Sequence, residues 1–242
     1  HTDTSTAIVN DLKRIGEVVS STPALLVVDA VSGLGAEDLR MDDWGLDVVV
    51  SASQKGLMNA PGLGFASLSE RAWANAASAT LPRFYWDFAT QRLSLKDRET
   101  TYTPAVSLIA GLAEALRMIS EEGLDNVLAR HARLAMAMRA GLQGLGLELF
   151  SQAPCAVLTA ARVPPGLDGK KLVNHLRDRY GLSIAGGQAR LAGKVIRLAH
   201  LGYMDSLDVL TGLAGLELGL ADLGYPVTPG AGVAAAEPIL RG

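Results

Sequence analysis

The chain is short of the residues that build disulfides, metal clusters and strong charged fields. Of its 242 residues one is cysteine, Cys155, and four are histidine. A lone thiol excludes an internal disulfide and a cysteine-rich metal site, and it fits a reducing cytoplasm. Basic and acidic residues nearly balance, 22 against 25, for a formal charge of −3. Without a basic excess no nucleic-acid partner is expected. No apolar run is long enough to span a bilayer and no charged-then-apolar leader opens the chain, so a soluble, unexported protein without a membrane partner is expected. Lysine is also scarce, with six against sixteen arginines. About half the residues are apolar, 49%, and 19% are charged, which suits a globular chain able to bury a sizeable core. The sequence opens at His1, without an initiator Met and already inside an apparent motif, so part of the protein is expected to lie upstream.

Two continuous apolar runs, "ALLVVDA" (24–30) and "GLDVVVS" (45–51), have the pattern of strands buried on both faces of a parallel sheet. A helical stretch over 11–19, with Asn10 as its N-cap, precedes them. Helix alternating with apolar strand indicates α/β layers. "TPAVSLIAGLAEALRMISEEG" (103–123) predicts a helix with Thr103 at the cap, Pro104 in the first turn and Gly123 at the stop, and another helix covers 125–142. Beyond it come short β candidates at 147–150, 156–161, 182–186 and 194–200, around helices near 168–180 and 205–223. The expected organisation is a larger unit over 1–122 and a smaller α+β unit over 123–242. A Gly, Ala and Pro-rich tail from about 224 would run as loop or partner-contacting arm.

The chemistry concentrates in three charges. Asp29 ends the first apolar run, where parallel sheets place ligand-binding groups. Lys55 follows the second run in "SASQKGL". Alone, Asp29 reads as a cap or loop-ordering residue and Lys55 as a surface lysine lying along apolar neighbours. Together, at adjacent strand ends, they fit a pyridoxal phosphate site: the amine forms a Schiff base and the carboxylate pairs with the protonated ring nitrogen. Ser51, Ser53 and Gln54 are donors suited to phosphate oxygens, or ordinary strand-end turn chemistry. Arg197, inside the alternating "KVIRLAHLG" (194–202), reads either as a bidentate clamp on a substrate carboxylate or as one half of an internal salt bridge. His200 reads as structural, His131 and His175 as solvated on helical patterns, and Cys155 as a small core residue.

Five segments in order, "HTDTST" (1–6), "LLVVDAVSGLG" (25–35), "SASQKGL" (51–57), "TTYTPAVSL" (100–108) and "VIRLAHLG" (195–202), resemble the class V aminotransferases. The nearest likeness is to the alanine–glyoxylate, serine–pyruvate and serine–glyoxylate branch, and it extends to about residue 223. The resemblance implies an α/β three-layer sandwich with a mostly parallel sheet, the pyridoxal-phosphate-dependent transferase fold incomplete at its N-terminus, plus the smaller C-terminal α+β domain. It implies Lys55 as the Schiff-base lysine and Asp29 as the partner of the ring nitrogen. Gln54, with Ser53, would touch the cofactor phosphate, Thr4 would stand near the ring hydroxyl, and Arg197 would bind the substrate carboxylate. The segment Thr100 to Thr103, including Tyr102, would reach the neighbouring subunit's phosphate in a homodimer whose active site lies at the interface. Here the match departs, since Thr101 stands where many relatives carry Pro. The family's phosphate loop and ring-stacking aromatic would lie upstream, and Trp44, Trp73 and Trp86 fall in the wrong segments to replace the latter.

The implied reaction is transamination of alanine or serine with a 2-oxo acid such as glyoxylate or pyruvate, and no metal is implied. Two competitors share the fold. A cysteine desulfurase-like lyase needs a mobile cysteine, for which Cys155 is poorly placed. A non-catalytic subunit resembling the small subunit of a soluble hydrogenase would keep the fold without the chemistry.

Overall fold

The computed structural model describes residues 1–241. It opens on a polar hairpin in which Thr2–Asp3 (β1) pairs antiparallel with Ile8–Val9 (β2). Asp3 makes the turn: its carboxylate accepts the Ser5 N–H and the Thr6 hydroxyl, each at 2.8 Å, and both bonds hold that carboxyl below its ordinary pKa. The helix Leu12–Ser20 (α1) follows. Its cap is Asp11, whose Oδ1 accepts the Arg14 N–H at 3.0 Å, and not the expected Asn10. Asn10 is otherwise engaged, donating its side-chain amide to the His1 carbonyl at 3.0 Å.

Three strands form the first sheet: Val27–Asp29 (β3), Val48–Ala52 (β4) and Gly64–Leu68 (β5), in the order β3-β4-β5. β3 and β4 run parallel with Asp29 opposite Val50, while β5 is antiparallel to β4. Val28, Ala30 and Val49 pack with Leu12 and Leu46 beneath α1. Val27 is 62% exposed in this chain, while Val48 and Val50 on the same face are half-buried. Among the described residues, the face carrying Val28 is the more completely covered of the two.

Asp47, at the foot of β4, is buried and accepts the Leu26 N–H, the Ser69 hydroxyl and two bonds from Arg71, at 2.9 and 2.5 Å. The Arg71 guanidinium holds this carboxyl down to about 2. Since Ser69 caps Glu70–Ala76 (α2), one acid joins both neighbours of β4 to the next helix.

Phe88–Lys96 (α3) buries none of its residues. Val106–Glu122 (α4) and Leu124–Gly144 (α5) follow, hinged at Gly123 with φ +84°. α4 starts later than the sequence predicts: Ala105 stands at the cap with no side-chain bond, and Thr103 and Pro104 remain in the chain leading to it.

The remaining elements are Leu158–Arg162 (β6), Gly169–Tyr180 (α6), Ala185–Gly186 (β7), Val195–Ala199 (β8), Ser206–Asp222 (α7) and Ala231–Arg241 (α8). The three strands make an antiparallel sheet in the order β6-β8-β7. Leu134, Met138, Leu142, Leu172, Leu176, Ile196, Leu213 and Leu220 fill the core between this sheet and its helices. Of the predicted strand at 147–150 only a bridge from Leu149 to Ala161 survives.

The tail is a further correction, because much of the expected loop or arm is helix α8, packed on α5. A Cβ on Gly144 would lie 2.8 Å from the Ala231 carbonyl oxygen and 2.9 Å from the Ala235 methyl. The small residues that suggested irregular chain are what let two helices approach this closely.

Gly56 has a similar constraint beside Lys55. A methyl there would stand 2.3 Å from the Leu34 carbonyl oxygen. Gly56→Ala is therefore expected to destabilise the protein by about 1–3 kcal/mol, read as a lowered midpoint in urea unfolding with an unchanged slope.

Candidate active site

β4 delivers its chain into a self-braced loop. Ser53 is buried, donates its hydroxyl to the Ala60 carbonyl at 2.7 Å and accepts the Leu63 N–H at 3.3 Å. The Asn59 N–H bonds the Ser53 carbonyl, the Met58 N–H bonds the Lys55 carbonyl, and the Asn59 amide reaches the Leu108 carbonyl of α4 at 2.8 Å. The loop therefore holds its shape without the Lys55 side chain, which points into a cavity of about 580 Å³. Lys55 has no hydrogen-bond or ion-pair partner among the described residues.

Arg197 lines the same cavity from β8. Its Nε donates to the Gly186 carbonyl at 3.0 Å and an Nη donates to the Thr4 carbonyl at 2.5 Å. No carboxylate pairs with it among the described residues, so the internal salt bridge is not formed. Thr4, at the tip of the β1–β2 hairpin, completes this wall. Among the described residues four non-glycine residues adopt positive φ, and three lie within three positions of a residue lining the cavity: Ala7 at +60°, Met58 at +58° and Ala189 at +47°. Such strain concentrates where backbone is held for a purpose.

The other candidates are placed differently. Asp29 is exposed at the end of β3, where its Oδ1 accepts the Val31 N–H at 2.9 Å. It is outside the cavity lining, whereas Ser32, three residues on, is inside it. Gln54 is exposed beside Lys55, and Ser53 spends its hydroxyl within the loop. Thr100, Tyr102 and Thr103 are not brought to Lys55 at all. With Tyr85 and Pro104 they line a separate open hollow, in which the Tyr85 and Tyr102 rings stack at 4.4 Å.

Four polar wall residues, Ser32, Ser183, Gln188 and Asp208, were missed by sequence reasoning. Ser32 sits inside the quoted "DAVSGLG" segment, and Gln188 follows a Gly-Gly pair next to β7, a turn signal that was available. Gln188 Oε1 accepts the Ser5 hydroxyl at 3.2 Å, linking β7's end to the hairpin.

The histidines need correction. His131 is fully buried, bonded through Nδ1 to the Val127 carbonyl at 2.7 Å and through Nε2 to the Gly202 N–H at 2.9 Å. His175 is half-buried against Asp222 at 2.8 Å. Both helices pack those faces inward, which the spacing left open. His200 is fully buried with Nε2 on the Thr159 hydroxyl at 2.9 Å, and burial pushes its imidazole down to about 3. Cys155 lies in a core cluster, and burial pushes its thiol up.

The family model for aminotransferase class-V matches residues 1–204. The chain is 43% identical to the small subunit of a soluble hydrogenase from Synechococcus sp. (strain PCC 6716), over 99% of this chain and 63% of that protein. It is 41% identical to serine–glyoxylate aminotransferase of Arabidopsis thaliana, over 100% of this chain and 62% of the relative. Among solved structures, ureidoglycine–glyoxylate aminotransferase from Bacillus subtilis superposes with a TM-score of 0.92 at 30% identity, covering 100% of this chain and 64% of that one. The chain belongs to the class-V aminotransferase family and has its α/β fold. It spans less than two thirds of the length of these relatives. Among the described residues no group of His, Cys, Asp and Glu is placed to hold a metal, and no helix is long and apolar enough to cross a membrane.

The buried histidines give a pH prediction. Burial also lowers His131 below its ordinary value. Unfolded, both imidazoles titrate near 6.5, so below that pH the unfolded chain binds more protons than the folded one. Stability is complete above pH 6.5 and falls as the pH drops toward the lower folded values. His200→Gln is expected to flatten this acid slope by up to about 1.4 kcal/mol per pH unit, checked by denaturant unfolding at pH 7 and pH 5.

Proposed function

We propose that the protein carrying this chain is a pyridoxal-phosphate-dependent aminotransferase for a small amino acid, alanine or serine, with glyoxylate or pyruvate as acceptor. The observation that carries this reading is the pairing of charges in one cavity: an amine without a partner and a guanidinium without a carboxylate. Neither cation has an ion pair among the described residues, so the cavity, which Asp208 also lines, offers both to an anionic ligand. Relatives named for glyoxylate and pyruvate transamination support the same chemistry.

The donor set fits the cofactor. Lys55 would hold it covalently through its aldehyde, and Asp29 would meet the ring nitrogen with the carboxylate oxygen that Val31 leaves open. Gln54 and Ser53 would serve the phosphate end, Gln54 with the freer side chain of the two. Thr4 would stand near the ring hydroxyl. When bound, the group supplies an electron sink for the substrate's α-carbon.

The chain's own residues do the rest. Arg197 presents its remaining N–H donors to the substrate carboxylate, oriented because Gly186 and Thr4 fix two of them. Lys55 Nζ, released as the substrate's own amine replaces it, would take the α-proton and return it, acting as base and then acid from a loop that does not depend on the amine for its shape. Both substrates carry one carboxylate, which matches one guanidinium.

The same proposal includes a homodimer in which Thr100, Tyr102 and Thr103 serve a neighbouring subunit. The segment before them exposes Phe84 and Trp86, each at 81%, together with Leu81, and α3 buries nothing. It also includes a division of the chain at Gly123 into units of 1–122 and 123–242, since each side has its own sheet. A cytoplasmic setting is supported by the single, buried, unpaired thiol.

A second reading keeps the fold without catalysis, and the 43% identity to a protein named as a hydrogenase small subunit favours it. The desulfurase reading has no such support, because Cys155 is buried and its thiol is raised.

In the full-length protein, Lys55→Ala is expected to abolish turnover, on the order of a thousandfold or more, and to remove the absorption band of the covalently held cofactor. A wild-type protein without that band and without transamination of alanine or serine favours the non-catalytic reading. Arg197→Lys is expected to raise KM for the amino donor about ten- to a hundredfold with a smaller change in kcat, because an ammonium cannot reproduce the fork. Steady-state kinetics with both substrates checks it.

A further inference from the structure

The loop that follows Arg197 is gripped from one side by two consecutive residues of α5. His131 Nε2 accepts the Gly202 N–H at 2.9 Å, while Arg130 donates to the Gly202 carbonyl at 2.9 Å and to the Met204 carbonyl at 3.0 Å. Both backbone groups of one glycine are therefore held. The grip is itself held. Arg130 forks onto Glu122, the last residue of α4, with bonds of 2.7 and 3.0 Å. The His131 partners assign its tautomer: the Val127 carbonyl requires a proton on Nδ1 and the Gly202 N–H requires a lone pair on Nε2. One neutral ring satisfies both demands, in keeping with its burial.

The other side of Gly202 faces the lysine. Its φ is +81°, and a Cβ added there would lie 3.4 Å from the Lys55 carbonyl oxygen and 3.6 Å from Met58 Cγ. Gly202 is thus the point where the strand bearing Arg197 abuts the loop bearing Lys55. Leu201 and Met204, on either side of it, line the same cavity as both cations.

We propose that Arg130 and His131 are positioning residues for the Lys55–Arg197 site, clamping Gly202 so that the spacing between the amine and the guanidinium is fixed. Neither side chain touches the cavity. They act through one glycine, which packs against the backbone of Lys55. The proposal rests on the reading of that cavity as a transaminase site. A displacement of about 1 Å in such a pair costs on the order of a hundredfold in rate, so a clamp on the backbone has leverage that its distance from the chemistry conceals.

The experiment uses the full-length protein with pyridoxal phosphate and three variants, Arg130→Met, His131→Leu and His131→Gln. Hydrogen exchange at the Gly202 amide is measured first, since it needs no cofactor. Arg130→Met and His131→Leu are expected to speed that exchange at least about tenfold while the β6 and β8 amides keep their protection. The same two variants are expected to shift the absorption band of the bound cofactor or its pH midpoint, and to lower kcat/KM about ten- to a hundredfold. His131→Gln, whose amide oxygen can accept the Gly202 N–H, is expected to stay within a few-fold of wild type. If His131→Leu does not fold, Arg130→Met carries the comparison, because Arg130 lies at the partly open end of the clamp. An unprotected Gly202 amide with an unchanged band and unchanged kinetics overturns the proposal and leaves the transaminase reading intact. Unchanged Gly202 protection in both variants overturns it as well. A wild-type protein that shows no cofactor band overturns the site reading and this proposal together.

Discussion

A guanidinium that leaves water without a carboxylate must find its hydrogen bonds in the backbone, and this requirement organises the candidate site. Arg197 meets it with the carbonyls of Gly186 and Thr4, one from the short strand β7 and one from the opening hairpin. Neither carbonyl cancels the charge. The result is a positive group fixed in direction, with donors to spare, on a wall shared with Lys55. An internal salt bridge would have given more local stability and no binding capacity.

The surrounding structure uses the opposite strategy. Asp47 is neutralised by Arg71 and Arg130 by Glu122. His131 and His200 are kept uncharged by burial. These charges are compensated within the fold, whereas Lys55 and Arg197 meet no carboxylate among the described residues of the cavity they share. Strained backbone has the same distribution, with Ala7, Met58 and Ala189 on the segments that carry Thr4, Lys55 and Gln188.

The parts legible in the sequence were those set by strong local patterns. The apolar runs before Asp29 and Lys55 became β3 and β4, and Gly123 ended α4 with the positive φ only glycine adopts easily. Alternation around Arg197 correctly gave β8. What failed depended on tertiary partners. Asp11 displaced Asn10 as a cap because Asn10 was taken by His1. The Gly- and Ala-rich tail suggested irregular chain by its composition, and its helix packs where Gly144 leaves room for Ala231 and Ala235. His131 gave no sign of burial, since its partners are a carbonyl one turn back and an amide 71 residues away. The cavity wall was half legible: charge-bearing residues stood out, while Ser32 and Gln188 matter by position and not by type.

The bond between Arg197 and the Thr4 carbonyl spans 193 residues of sequence. Closing so long a loop is entropically expensive and comes late, after the local hairpins and helices have formed. During synthesis the β1–β2 hairpin therefore waits without Arg197 until the 193 residues that separate them have been made. The recognition pocket is a late product of folding, and a ribosome-bound intermediate with well-formed helices would still lack any place to hold an anion.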